Sequence, residues 1–371
     1  MTRARDRQRL STFVSALDPD IARFVDRVLA IDDVAHLGVF PDVHLAGSLD
    51  EEPACVGTAI ATRDWLVPAW LGSDLGCGIA GLRIARSTDS LEDPRRARDV
   101  LERIARAVPI QRHTTPLADV EHGHELGTIG RGNHFVELRR ARHDGSLWLL
   151  VHTGSRSLGP CLQALHRRSA TERRGGYARV LARSEEGAGY LADVERAVAW
   201  ARQNRRVVMT RVLEAIGDRV ALTVDESTRL DTHHDSVRRE RHVIDGEPRD
   251  VYVHRKGAMA LGAGERGLVP GSMGADVAIV RARDDAPAGA LGSCPHGAGR
   301  AMTRTEARRT HEVPDLARAM HGVLFDARLA RGLLDEIPSA YKDLDAVLAD
   351  ARPLMRVEER LTPLLVHKGI G

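Results

Sequence analysis

The sequence predicts a mixed fold in which strands and helices form one domain, and three observations support this prediction. Strand-like and helix-like segments follow one another along all 371 residues. No internal repeat, low-complexity tract or convincing linker divides the chain. Polar residues suited to a functional site come from nearly the whole length. We therefore expect a single domain, residues 1–371, folded around one site.

The N-terminal half is predicted to be rich in strands. Asp18 and Pro19 are typical of an N-cap and first helical turn, and they open a helix that runs through about residue 30. Residues 90–108 form a charged amphipathic helix, and residues 72–78 form a Gly-rich turn. Strands are predicted over 38–46, 56–62, 79–85, 146–152 and the end of 127–138.

The C-terminal half is predicted to contain the main helical region, residues 162–216. Two glycine-containing stretches, 175–176 and 187–189, are expected to break it. Further on, the pattern predicts a strand over 251–254, a helix-like segment over 341–349 and a strand-like end over 361–368.

Composition limits the classes of function. Hydrophobic residues make up 43% and charged residues 29%, as in a soluble globular protein. A formal charge of +2 argues against general nucleic-acid affinity but permits a local basic groove. We see neither a secretory signal nor an apolar run of about 18 residues, so we expect a cytoplasmic protein without a membrane segment.

Two residue types are distributed informatively. The four cysteines lack disulfide-like spacing, so their thiols are available as metal ligands. Of the 54 basic residues only Lys256, Lys342 and Lys368 are lysines. These three are candidates for positions at which a guanidinium cannot replace an ammonium, although chance is an equally good explanation for any one of them.

The stretch 292–304, GSCPHGAGRAMTR, places His296 before a Gly-Ala-Gly run and Arg300. Glycines let the backbone approach a phosphate closely, and an arginine adds a charged fork for its oxygens. A histidine in this setting could attack phosphorus or could simply cap a turn. By itself, the stretch fits both interpretations about equally well.

Four other segments carry side chains that could bind a metal. Asp74 and Cys77 share a glycine-rich turn, where a carboxylate and a thiolate can hold a divalent ion and a thiolate can bridge two. His134, His152 and His234 each lie beside a turn rich in Gly or in His and Asp. Singly, each histidine is more often an ordinary polar residue. Together they fit one or two ions of borderline character such as Mn²⁺, Zn²⁺ or Fe²⁺.

Several motifs together resemble the RtcB-type RNA ligases, which join an RNA 3′-phosphate or 2′,3′-cyclic phosphate to a 5′-hydroxyl. They lie in family order from about residue 41 to residue 369. The matching stretches are PDVHLAG, GSDLGCG, GTIGRGNHFVEL, VHTGSRSLG, YLADVERAVAWARQNR, HHDSVRRERH, RKGA, VPGSMG, HGAGRAMTRTEA, AYKDLD and the terminal HKG.

The resemblance implies an α+β single domain with mixed sheets and helices around a central dinuclear Mn²⁺ and nucleotide site. It implies that His296 is the nucleophile that becomes guanylylated by GTP, and that Arg156 contacts RNA phosphates. The metal ligands it implies are Asp74, Cys77, His134, His152 and His234, with Cys77 as the bridge. The nucleotide-binding residues it implies are Asn133, Glu137, Ser272, Ala298, Gly299, Arg300, Tyr341 and Lys368.

The resemblance also implies partners. They are RNA with 3′-phosphate or 2′,3′-cyclic phosphate and 5′-hydroxyl ends, with an archease-like activator as a candidate; we expect a monomer. Three features depart from the family pattern: Asp235 follows a ligand histidine where asparagine is usual, Val277 replaces a guanine-contacting serine, and the chain is shorter than many relatives, with a compact acidic loop at 48–53. They indicate a divergent, shorter paralogue.

Two other functions stay open at this point. The first is a dinuclear metal phosphoesterase acting on RNA ends without ligation, which the departures at Asp235 and Val277 motivate. The second is a non-catalytic RNA-binding protein, against which the complete set of ligand-type residues argues, because RNA binding requires no thiolate.

Overall fold

A computed structural model describes residues 8–46, 52–111, 113–170 and 172–370. Most of the predicted acidic loop at 48–53 lies outside the described residues. Within them, the α-helices are α1 (Pro19–Leu29), α2 (Pro94–Ala107), α3 (Leu117–Glu121), α4 (Leu158–Ser169), α5 (Glu185–Ile216), α6 (Arg304–Thr310), α7 (Val313–Ala319) and α8 (Leu344–Asp350). None of these helices combines the length and apolar character needed to cross a membrane.

The strands are more numerous than the helices. They are β1 (Leu10–Thr12), β2 (Val34–Ala46), β3 (Ala54–Thr62), β4 (Trp65–Leu66), β5 (Gly78–Ala85), β6 (Phe135–Ala141), β7 (Leu147–Thr153), β8 (Glu172–Arg174), β9 (Tyr177–Leu181), β10 (Asp225–His233), β11 (Asp235–Ile244), β12 (Glu247–Lys256), β13 (Ala258–Ala260), β14 (Arg266–Pro270), β15 (Val277–Ala282), β16 (Ser293–Pro295), β17 (Leu324–Phe325) and β18 (Met355–Lys368).

Four sheets are formed from these strands. The largest has eight strands in the order β10-β5-β7-β6-β18-β15-β14, with β17 beside β18. The second has five strands in the order β1-β2-β3-β12-β11, and β4-β9-β8 and β13-β16 form small sheets. Parallel and antiparallel pairs both occur, so the predicted α+β class with mixed sheets is confirmed.

The eight-stranded sheet buries both of its faces. Helices α2 and α5 cover one face with apolar side chains such as Ile104 and Val208, which pack against Leu82 and Leu149 of the sheet. On the other face, Ile79 and Leu150 pack with side chains from the far strands β14, β15 and β18, so the sheet curls toward itself. Burial of apolar side chains on both faces stabilises the sheet that carries the site.

Most predicted elements are confirmed. Asp18 caps α1 by accepting a hydrogen bond at Oδ1 from the Asp20 N–H at 2.8 Å, as its N-cap pattern predicts. The predicted helix over 90–108 corresponds to α2. The strands predicted in the first 152 residues correspond to β2, β3, β5, β6 and β7.

The predicted helical region over 162–216 needs two corrections. Residues 172–181 form the β8–β9 hairpin, whose turn is Gly175-Gly176 with φ values of +57° and +84°. The break predicted over 187–189 is wrong, because α5 runs through it without interruption. A Cβ at Gly187 would lie 2.1 Å from the Leu181 carbonyl oxygen, so this glycine lets the first helical turn approach β9.

Four further elements differ from the sequence prediction. Strands β10 and β11 were not predicted, and the strand predicted over 251–254 is the central part of the longer β12. β11 and β12 join through Asp245-Gly246, both with positive φ, which is the Asp-Gly pattern of a two-residue hairpin. The C-terminal helix begins at Leu344 with Asp343 as its N-cap, while Tyr341 is extended and bridges Arg300.

Candidate active site

One cavity of about 1280 Å³ collects side chains from residue 14 to residue 368. All predicted site residues line it except His134 and Arg156, which lie beside it. The predicted residues that line it are Asp74, Cys77, Asn133, Glu137, His152, His234, Ser272, His296, Ala298, Gly299, Arg300, Tyr341 and Lys368. The three lysines of the chain also line the cavity, as expected if their positions require an ammonium.

At one end of the cavity lie the five predicted metal ligands, called here the metal-ligand cluster: Asp74, Cys77, His134, His152 and His234. Cys77 Sγ lies 3.3 Å from His134 Nε2 and 3.3 Å from His152 Nε2. His134 Nε2 lies 2.8 Å from Asp74 Oδ2. The rings of His152 and His234 are 5.3 Å apart between centroids.

The pairing of neighbouring strands brings these ligands together. Cys77 directly precedes β5, and His234 directly follows β10, the strand beside it; the His234 N–H donates to the Cys77 carbonyl at 2.9 Å. On the other side of β5, His152 near the end of β7 is opposite Ile79 and also opposite Phe135 of β6. His134 immediately precedes β6. The ligands therefore meet at one edge of the eight-stranded sheet.

The cluster contains two overlapping ligand sets. One consists of Cys77, His152 and His234, and the other of Asp74, Cys77 and His134; in each set the candidate ligand atoms lie within 4.8 Å of one another. Cys77 belongs to both. His234 Nδ1 is buried and has no hydrogen-bond partner among the described residues. Carboxylate, thiol and imidazole donors with one unsatisfied nitrogen fit one or two divalent ions of borderline character.

The environment keeps the histidines of the cluster in the neutral form that binds metals. Burial lowers the pKa of His152 and of His234 well below the ordinary value, and neighbouring cationic histidines would lower it further. Burial, together with Asp74 and Asp235, raises the pKa of the Cys77 thiol well above its ordinary value. A thiolate at this position therefore depends on a cation to stabilise it.

His296 lies next to the cluster, with its ring 4.5 Å from that of His234 between centroids. Its Nδ1 lies 2.6 Å from Oδ2 of Asp42, which also accepts a hydrogen bond from the His296 backbone N–H at 3.1 Å. Asp42 is fully buried. A carboxylate that accepts from Nδ1–H leaves the lone pair of the imidazole on Nε2. Burial lowers the pKa of His296, but Asp42 and Asp235 outweigh it and the net shift is upward.

Asp42 is a site residue that the sequence analysis missed, although its motif, PDVHLAG, was noted. Its partner His296 is 254 positions away along the chain. Lys342 supports it by donating from Nζ to the carbonyls of Pro41 at 3.0 Å and Val43 at 2.6 Å. Such long-range pairings leave no local pattern in a single sequence.

The turn after His296 crosses β2 at close range. Gly299 has φ +72°, and a Cβ there would lie 2.2 Å from the Asp42 carbonyl oxygen, so only glycine fits. The backbone N–H of Ala298 donates to the Pro270 carbonyl at 2.9 Å and so is already engaged within the protein. A role for Ala298 in phosphate binding stays a prediction.

A second group of side chains, called here the charged end, consists of five residues that line the cavity and one, Glu336, that lies behind them; the five are Glu137, Arg139, Arg300, Tyr341 and Lys368. Glu336 is fully buried and was not predicted. It pairs with Lys368 Nζ at 3.2 Å and Arg300 Nη1 at 3.3 Å, and it accepts a hydrogen bond from the Tyr341 hydroxyl. Glu336 thus links three predicted nucleotide-binding residues.

Charge at Glu336 is maintained by its partners. Burial would raise its pKa, but Lys368, Arg304 and Arg300 outweigh burial and hold the pKa below its ordinary value. The only sequence signal was its place in DEIPSAYKD, five positions before Tyr341.

Glu137 forms the second ion pair of the charged end. Its Oε2 lies 2.6 Å from Nε of Arg139, and both side chains are buried. Phe135, Glu137 and Arg139 alternate along β6 and all line the cavity. Val277, by contrast, is fully buried in an apolar cluster with Phe135 and is absent from the cavity lining.

Arg156 and Asp235 both lie near the metal-ligand cluster. Arg156 has φ +54°, and its Nη2 lies 2.9 Å from His134 Nδ1 and 3.7 Å from Asp74 Oδ1. It therefore contacts the cluster from outside the cavity. Asp235 lines the cavity, accepts a hydrogen bond from the Gly257 N–H at 2.9 Å and faces Lys256 in the β11–β12 register.

Comparison with known proteins gives consistent matches. Residues 115–369 match the family described as tRNA-splicing ligase RtcB. The chain is 33% identical to the RNA-splicing ligase RtcB of Escherichia coli K12 over 90% of both chains. It is 30% identical to the RNA-splicing ligase RtcB of Mycobacterium tuberculosis over 66% of this chain and 65% of that protein. It is 32% identical to the tRNA-splicing ligase RtcB of Methanopyrus kandleri over 67% of this chain and 31% of that protein.

Proposed function

The chain belongs to the RtcB family of RNA-splicing ligases, and from this premise we propose that it is a GTP- and Mn²⁺-dependent RNA ligase. It joins RNA 3′-phosphate or 2′,3′-cyclic phosphate ends to 5′-hydroxyl ends through a histidyl-GMP intermediate, in RNA repair or tRNA splicing. The observation that carries the proposal is the position of His296, which lies beside His234 of the metal-ligand cluster, lines the same cavity as Arg300, Tyr341 and Lys368, and is held by buried Asp42.

His296 is the nucleophile in the first step. Because Asp42 accepts from Nδ1–H, the Nε2 lone pair is free to attack the α-phosphorus of GTP without a base removing a proton first. The new bond joins Nε2 to phosphorus, and the bond to the β-phosphate oxygen breaks, so that pyrophosphate leaves. Asp42 stabilises the positive charge that forms on the ring.

The metal-ligand cluster would hold the ions. When bound, two Mn²⁺ would offset the negative charge of the phosphates and orient them. The ligands proposed are Asp74, Cys77, His134, His152 and His234, with Cys77 shared between the two ions.

The nucleotide is proposed to extend from His296 into the charged end. Arg300 would bind phosphate oxygens, Tyr341 would pack against the base, and Glu137 and Lys368 would face the base edge. Asn133, Ser272, Ala298 and Gly299 complete the proposed set, since all line the same cavity. Arg156 is proposed to contact RNA phosphates.

The later steps use the same nucleophile as a carrier. GMP passes from His296 to the RNA 3′-phosphate, which regenerates the imidazole and activates the RNA end. Attack by the 5′-hydroxyl then expels GMP and closes the strand. We propose that this activity belongs to a single-domain, monomeric, cytoplasmic protein, with an archease-like activator as a candidate partner.

RNA sealing tests this function. An RNA pair with a labelled 3′-phosphate end and a 5′-hydroxyl end is incubated with the protein, GTP and Mn²⁺. We expect a joined product that requires both additions and that His296→Ala abolishes. Sealing that proceeds without a nucleotide, or that survives His296→Ala, would contradict the histidyl-GMP mechanism.

Asp235 favours a second candidate, a dinuclear metal phosphoesterase acting on RNA ends without ligation. This buried carboxylate lines the cavity beside the metal-ligand cluster. The candidate predicts that a 2′,3′-cyclic phosphate end is opened without any nucleotide and that no joined RNA appears with GTP. A joined product would exclude it.

A further inference from the structure

We propose that Arg139 is a positioning residue that sets base selectivity: it fixes the position of the Glu137 carboxylate, whose oxygens accept hydrogen bonds, so the cavity takes guanine in preference to adenine. This inference rests on the proposed nucleotide-dependent function. It assigns a role to a residue that neither the motifs nor the proposed mechanism uses.

The contacts of Arg139 fix Glu137 in place. Nε of Arg139 lies 2.6 Å from Oε2 of Glu137, and each side chain is only 1% exposed. Nη1 of Arg139 donates to the carbonyls of Ala275 at 2.7 Å and Leu361 at 3.0 Å. The guanidinium is therefore anchored to β18 and to the loop that carries Ser272, and it presents Glu137 from a rigid support.

Burial makes the guanidinium necessary. An ionised carboxylate with almost no solvent contact is costly unless a cation and hydrogen bonds compensate it. Arginine stays charged under all ordinary conditions, so Arg139 supplies both the compensating charge and a hydrogen bond to Glu137. Without Arg139, the Glu137 carboxylate would lose the partner that fixes its orientation toward the cavity.

A carboxylate in a fixed position distinguishes guanine from adenine. An ionised carboxylate has acceptors only, whereas a carboxylic acid has one donor as well. The Watson–Crick edge of guanine presents two adjacent donors, N1–H and the N2 amino group. The same edge of adenine places an acceptor at N1. The carboxylate oxygens can therefore accept both guanine donors. Adenine would place its N1 acceptor against a carboxylate oxygen, and the two acceptors would repel each other.

Other groups at the charged end are less suited to this role. Glu336 is occupied by Lys368, Arg300 and Tyr341, and it does not belong to the cavity lining. Val277, at the position where the family resemblance places a guanine contact, is buried away from the cavity. Glu137 is the carboxylate of the charged end that lines it.

Equilibrium binding of GMP and AMP tests the inference without requiring catalysis. Calorimetry on the wild-type protein is expected to show GMP bound at least about tenfold more tightly than AMP. Arg139→Gln should reduce this ratio about tenfold or more, and Arg139→Lys, which keeps a cation, should retain most of it. Arg140→Gln is the matched control: it removes the same charge from an exposed neighbour and should leave the ratio unchanged.

Glu137→Gln keeps the inference testable if Arg139→Gln fails to fold. A glutamine amide presents a donor and an acceptor, as adenine requires, so this variant should bind AMP at least as tightly as GMP. Adding Arg139→Gln to Glu137→Gln should then change the ratio no further.

Several results would overturn the inference: a folded Arg139→Gln protein that keeps the wild-type ratio, a Glu137→Gln protein that still prefers GMP, or wild-type protein without a preference for GMP. A different result would contradict the proposed function without contradicting this inference. Wild-type protein that binds GMP selectively but neither modifies His296 nor seals RNA would contradict the ligase proposal and leave the role of Arg139 intact.

Discussion

The two ends of the cavity are stabilised in different ways. The metal-ligand cluster consists mainly of neutral groups, a thiol and three imidazoles, and His234 Nδ1 has no hydrogen-bond partner there among the described residues. The charged end consists of full charges paired within the protein, Glu137 with Arg139 and Glu336 with Lys368.

The two ends therefore depend on a bound ligand to different extents. Donor atoms at the cluster gain most from a cation, because binding it stabilises the thiolate and satisfies the free nitrogen. Ion pairs at the charged end hold their geometry without a ligand, which is the preorganisation that selective binding requires. Substitutions at the cluster should therefore change metal content, whereas substitutions at the charged end should change stability and nucleotide binding.

The largest effect is expected from Cys77→Ser. Serine removes the atom that both ligand sets share, so bound Mn²⁺ should fall sharply and RNA sealing should fall by roughly 1000-fold or more. Elemental analysis of protein equilibrated with Mn²⁺ measures the first quantity. Cys161→Ser, at a half-buried cysteine outside the cluster, is the control and should leave both unchanged. Full metal content in Cys77→Ser would remove the distinction between the two ends.

Asp42→Asn should have the next largest effect, on His296 alone. An amide can donate to Nδ1 and so favours the tautomer with the proton on Nε2, which cannot attack phosphorus. We expect the rate of histidine guanylylation to fall roughly 10²–10⁴-fold while Mn²⁺ content stays unchanged. A rate within a few-fold of wild type would show that Asp42 does not control the tautomer.

Glu336→Gln should destabilise the protein through the charged end. It leaves buried Lys368 and half-buried Arg300 beside a neutral amide, so the free energy of unfolding in urea should fall by about 3–5 kcal/mol. Glu358→Gln, which breaks the more exposed pairs with Arg266 and Arg281, should cost about 1 kcal/mol or less. Equal losses in the two variants would contradict the importance of burial at Glu336.

The smallest expected effect is the change in Tm that Mn²⁺ causes. Thermal unfolding with and without Mn²⁺ measures it and compares variants of the two ends in one experiment. Mn²⁺ at about 100 times its dissociation constant should stabilise wild-type protein by about 2.7 kcal/mol and raise Tm by a few degrees. Cys77→Ser should lose this shift, and Glu336→Gln should keep it from a lower starting Tm. A shift retained in Cys77→Ser would indicate that Mn²⁺ binds elsewhere.

The two ends were also unequally predictable from the sequence. The cluster residues each lie beside a recognisable turn, and the order of the motifs indicated that they belong together. Asp42 and Glu336 were missed because their roles depend on partners far along the chain; His296 is 254 positions from Asp42. Arg139 was missed because a single arginine in an arginine-rich chain has no distinguishing pattern.

Secondary structure was predictable where a local signal had one meaning. Asp18-Pro19 correctly marked the start of α1. The glycines at 175–176 and 187–189 look alike in sequence, yet one pair forms a hairpin turn and the other stretch lies inside α5. What separates them is the close approach of Gly187 to β9, a tertiary contact that local patterns do not contain.

The proposal that His296 carries GMP to the RNA end is tested most directly by mass spectrometry. Wild-type protein is incubated with GTP and Mn²⁺, digested, and its peptides are mapped for an added GMP. We expect one GMP per chain, on His296, which is lost in acid and stable in base, and none in His296→Ala. A GMP on another residue, or none on protein that has bound both Mn²⁺ and GTP, would contradict the proposed mechanism.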